Sequence, residues 1–141
     1  MNTLYDTLRR ITGIGSLLII VLALMNPRLY RNIKFRKYTK KIAKLQDDIS
    51  RALKLCEIEI MNRRNGVPGE STVEQLEEIV IPELKQVLYQ ITNSDKFPEK
   101  DQRVLRFLSD ARVSWGWNTR TPTPLFALLM EVNEEYNQLL D

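Results

Sequence analysis

Between Arg10 and Arg28 lie 17 residues without a charge, 11–27, and residues 17–25 are apolar on every side. As a helix this stretch reaches about 25 Å, near the lower limit for crossing a ~30 Å hydrocarbon layer. Arg9, Arg10 and Arg28 can extend that reach by lifting their charged ends to the interface. A core helix of a soluble domain usually keeps one polar face, and 17–25 has none. A cleaved leader needs a pair of small residues at its end, and Ala23-Leu24-Met25-Asn26-Pro27 offers no such pair. The stretch therefore predicts a membrane anchor over 11–27, preceded by a short segment, 1–10.

The charges on either side orient it. Residues 28–44 hold eight basic side chains (Arg28, Arg31, Lys34, Arg36, Lys37, Lys40, Lys41, Lys44) and no acid. Basic residues this close to a span stay on the cytoplasmic side. The expected arrangement is a single pass in the cell membrane, N-terminus outside, with the C-terminal domain cytoplasmic. The same block would attract anionic headgroups. Beyond residue 44 there are 11 basic and 17 acidic residues, a balance of −6. The net charge of +3 is thus a local basic block, not a surface for nucleic acid. A lone cysteine, Cys56, allows no internal disulfide and suits a reducing compartment.

After the anchor the rhythm is helical throughout, and no alternating strand pattern occurs. Asn26-Pro27 resembles a helix start. No glycine or proline then interrupts the chain up to Arg64, which allows one element about 55 Å long. Phe35, Ile42, Ile49 and Cys56 fall on one heptad position, and Tyr38, Leu45 and Ala52 on the other. This seam fits a stalk that pairs two copies, or equally a face packed inside one chain. The segment 28–52 is accordingly a basic juxtamembrane helix or stalk, and 53–141 the bundle domain.

Gly66 and Pro68 end this helix, and Ser71 with Glu74 predicts a capping box opening the next. Pro82 falls inside that second apolar stripe and predicts a kink or split near Val80. A third helix is expected from Pro98 to the Trp115-Gly116 pair, and a fourth from Pro124, capped by Thr123. The fold class is all-α: one N-terminal transmembrane helix, then a long helix and an antiparallel bundle of about four helices.

Without a histidine, the common nucleophile–base pairs and zinc centres have no ligands. No phosphate-binding glycine loop or nucleophile elbow is present. No enzyme activity, cofactor or metal is expected. Cys56 lies on an apolar stripe and reads as a small buried hydrophobe. Glu74, Glu77 and Glu78, and likewise Glu131, Glu134 and Glu135, share helix faces, where a cation site is conceivable and a solvated face is expected.

One loop is unusual. Trp115 reads as core at the end of the third helix. Trp117, beyond Gly116 and among polar residues, reads as exposed, with Arg120 three positions on. Tryptophan and arginine dominate binding hot spots, so Trp117 and Arg120 are the candidate partner-binding residues. The expected function is docking or regulation of a protein partner at the cytoplasmic membrane face. The alternative is anionic-lipid binding or membrane remodelling through the basic helix. A homodimer through the stalk would accompany either.

Overall fold

A computed structural model describes residues 27–93 and 98–139, with side chains from residue 36 onward. The anchor residues 11–26 lie outside the described residues. No helix among the described residues is long and apolar enough to cross a membrane. The chain divides into two units, residues 1–40 and 41–141; the account below concerns the second. The described residues are all-α, with four α-helices and no strand.

Helix α1, Pro27–Arg64, has the uninterrupted length that its sequence allows. Leu45, Ile49, Ala52 and Cys56 are fully buried within the single chain. From Leu45 on, the heptad seam is therefore used inside the domain, which begins before residue 53. Burial pushes the Cys56 thiol up to about 12, helped by Glu59 and Glu57. It is an inert core side chain, as its stripe suggested.

The end of α1 is built as expected. Gly66 takes a left-handed φ of 81°, and the Val67 N–H returns to the Asn62 carbonyl. Arg63 then organises the connection: its Nε donates to the Ser71 carbonyl at 2.7 Å, and its guanidinium also binds Glu59 and Val67. That guanidinium lies where a side chain on Gly69 would have to go. Gly66→Ala meets no neighbour, so its cost is backbone strain alone. A loss of about 1 kcal/mol is expected, read as a lower denaturant midpoint.

The capping box sits one residue later than Ser71–Glu74. The Thr72 hydroxyl accepts from the Gln75 N–H at 3.1 Å, and the Gln75 side chain accepts from the Thr72 N–H at 3.0 Å. Ser71 is drawn into the Arg63 network instead. The helix then opens as a π-helical turn, Gln75–Val80, in which the Ile81 N–H reaches back five residues to Leu76. Helix α2, Ile81–Asn93, continues from it. The reason lies in Leu76, Val80 and Leu84, all fully buried. Two successive four-residue steps overshoot 3.6-residue turns by about 80°, and a wider turn brings them back into line. Pro82 has no N–H to lose when the hydrogen-bond ladder changes step. The expected irregularity near Val80 is thus a change of helix type.

The third helix is shorter than expected. A 3-10 turn, Lys100–Gln102, comes first, and α3 covers only Phe107–Val113. In between, the Leu105 N–H donates to Asn133 Oδ1 at 2.7 Å and the Arg106 N–H to Glu83. Side chains from other helices have taken the donors that a continuous helix would use. Helix α4, Pro124–Asn137, starts as expected: Pro124 at the first position and the Thr123 hydroxyl accepting from Phe126 N–H at 3.2 Å.

Candidate functional site

The tryptophan loop reverses its expectation. Trp117 is 3% exposed, while Trp115 is only half-buried. Gly116, at φ 68°, turns the chain back, and the Trp117 N–H is held by the Ala111 carbonyl at 2.9 Å. The Trp117 ring meets Phe126 edge-on at 5.3 Å and Trp115 at 5.3 Å. Asn118 Oδ1 accepts from the N–H groups of Arg120 and Thr121, and Glu70 binds the Asn118 N–H. Arg120 is exposed. Trp117 is core, so no exposed indole joins Arg120 in a recognition patch.

The basic block also divides. Arg28, Arg31 and Lys34 lie on α1 before the described side chains, and Arg36, Lys37 and Lys40 are exposed. Lys41 donates to the Gln138 carbonyl at 3.2 Å. Lys44 turns to the acidic side of α4: its ammonium binds Asp48 at 3.1 Å, Glu131 at 3.3 Å and Glu135. The three carboxylates bring oxygens within 4.8 Å of one another, and Lys44 already supplies the positive charge they need. Burial and the neighbouring Asp48 carboxylate push Glu135 up to about 7, against the pull of Lys44. Asp48 is itself buried, which raises it. Hydrogen bonds with Glu135 and Lys44, and the nearby Arg51 charge, outweigh that and hold it below its usual value. The cluster is an interhelical clamp, and half of it, Glu131 and Glu135, was visible as a same-face pair.

A surface that the sequence did not announce lies on the other side of α2. Two hollows share Val104 and Arg106. One, of about 550 Å³, runs from Glu78, Ile79 and Pro82 across to Gln102 and Tyr136. The other, of about 450 Å³, lies among Val104, Ser109, Arg112 and Val113. Ile79 and Val104 are 41% and 42% exposed, and Val113 81%. Water-facing valine and isoleucine around concave surface mark a contact site more often than isolated exposed residues do. The Tyr136 hydroxyl, donating to Gln90 Oε1 at 3.1 Å, belongs to the first hollow.

Two guanidiniums line this face without an ion pair among the described residues, Arg106 and Arg112; Arg103, before Val104 in the chain, is buried and has none either. Arg103 is 4% exposed, and its Nε and Nη1 have no hydrogen-bond acceptor. Its charge opposes the rise that burial imposes on Tyr136. The face could bind apolar side chains and anionic groups together; it brings no nucleophile and base into contact. Comparison with known protein families, with curated proteins and with solved structures finds nothing that matches this chain.

Proposed function

We propose that this chain is a single-pass membrane-anchored helical protein whose cytoplasmic domain docks or regulates a protein partner. The observation that carries the docking half is the face around Val104, with Ile79, Val104 and Val113 exposed beside Arg106 and Arg112, which have no ion pair among the described residues. Arginine is enriched at recognition sites, and here it stands beside exposed aliphatic side chains. The anchoring half rests on the uncharged residues 11–27 and the basic residues that follow. A second copy paired through α1 would meet only the turns before Leu45, because the later seam is buried.

Two measurements test the reading in intact cells. A cysteine added after Asp141 should escape a membrane-impermeant thiol reagent until the cells are permeabilised; labelling beforehand would overturn the topology. Cys56, buried, does not compete in the folded chain. A photo-crosslinking side chain at Val113 should give one discrete protein adduct, and the same group at exposed Lys54 should give none. Equal adducts at both would remove the docking face. Salt-sensitive binding of the chain to anionic vesicles, unaffected by Val113→Asp, would instead favour the lipid reading through Arg36, Lys37 and Lys40.

A further inference from the structure

We infer that the partner presents a short acidic segment carrying an apolar side chain, and that this segment seats in the hollow between Val104 and Val113. This rests on the docking reading above and adds the chemistry of the partner. The hollow holds about 450 Å³ and is lined by Arg106 and Arg112 but by no acidic residue. That is notable in a chain whose residues after 44 are acidic overall. Neither guanidinium has an ion pair among the described residues, and Asp110, on the same helix, pairs with neither.

Glu83 accepts from the Arg106 backbone N–H and makes no ion pair with the Arg106 guanidinium. Arginine presents a planar fork matched to carboxylate. A carboxylate arriving here would meet two guanidiniums that hold no ion pair among the described residues. The apolar part of the ligand follows from Val113, 81% exposed at the end of α3, and Val104 across the hollow. The lining is confined to residues 104–113 and Asn133, the footprint of a short segment and not of the broad surface of a lipid bilayer.

The test uses the full chain in detergent and three blocked, fluorescent peptides: alternating Glu and Leu, the same with Gln for Glu, and the same with Lys for Glu. Anisotropy titration should show binding of the Glu–Leu peptide alone. The affinity should fall more than tenfold in Arg106→Gln/Arg112→Gln and in Val113→Asp, and should fall with added salt. The basic residues ahead of Leu45 are a competing site for any acidic peptide, and Lys37→Gln/Lys40→Gln reports on it. Binding lost in that variant and kept in the arginine variant would overturn the proposal. So would equal binding of the Gln–Leu peptide, which, if Val113→Asp abolished it, would leave the docking face standing with a neutral partner. No binding by any peptide would overturn the acidic segment, while the Val113 crosslink would still decide the docking reading separately. Circular dichroism of each variant excludes unfolding as the cause of a loss.

Discussion

Trp117→Ala is expected to destabilise the domain by about 3–5 kcal/mol, the cost of emptying a large aromatic site in a packed core. Trp117 is enclosed by Phe126 on one side and Trp115 on the other, and Phe107 stacks beyond Trp115 at 6.4 Å. Removing the middle ring leaves its neighbours without a packing surface. Trp115→Ala should cost less, because that ring is already partly in water. A third substitution separates packing from polarity. The Trp117 indole N–H is buried with no acceptor, a burden that a benzene ring does not carry. Trp117→Phe should therefore cost much less than Trp117→Ala. Thermal unfolding of the three variants, followed by circular dichroism, gives the order. A stability loss for Trp115→Ala exceeding that for Trp117→Ala would contradict the packing described.

The second large effect is on pH. Glu135 in the folded chain has its carboxyl pushed up to about 7, against an ordinary 4.5. The folded state holds this proton more tightly than the unfolded one. The stabilisation is therefore complete below about pH 4.5 and is lost as pH rises through about 7. Asp48 works in the opposite sense: its contribution is present above its ordinary value of 3.8 and disappears as pH falls through its lowered one. Between about pH 5 and about pH 8 Asp48 stays ionised, so the slope there belongs to Glu135. The groups that face it are Lys44 and Asp48 on α1 and Glu131 on its own helix, with Arg51 bound to Asp48. The domain should lose about 2 kcal/mol across that window, less than the full shift implies because its side chain keeps an edge in water. Glu135→Gln fixes the neutral form and should flatten the slope. An equally steep slope in the variant would assign the titration elsewhere.

Much of the fold was legible because it depends on local chemistry. Thr123-Pro124 opens α4, Gly66 closes α1, and Leu45, Ile49, Ala52 and Cys56 are buried as their spacing implies. Errors arose where contacts between distant segments decided. Trp115 was placed in the core because it continues the period of Leu108 and Ala111, but the helix ends at Val113 and Gly116 turns Trp117 inward instead. The long third helix failed because Asn133 and Glu83, remote in sequence, claimed the N–H groups of Leu105 and Arg106. Glu131 and Glu135 were legible as one helix face. Their meeting with Lys44 and Asp48 needs the alignment of α1 with α4, which no local pattern encodes. The hollow around Val104 has no local signature for the same reason: Ile79, Val104 and Val113 lie on three segments.

The π-helical turn has a consequence for how freely this chain can change. Leu76 and Val80 hold the inner side of the wide turn, and Glu78 and Ile79 bulge on the outer side, where they line the first hollow. Substitutions at Glu78 and Ile79 can thus alter what the surface recognises at little cost to the interior. Deleting one residue from the wide turn would set Leu76 seven positions before Leu84, a spacing that an ordinary α-helix brings to within about 20° of one face, so the interior register would survive and the outward bulge would be lost. At this turn both point substitution on the outer side and loss of the extra residue change the surface while the buried side keeps its line.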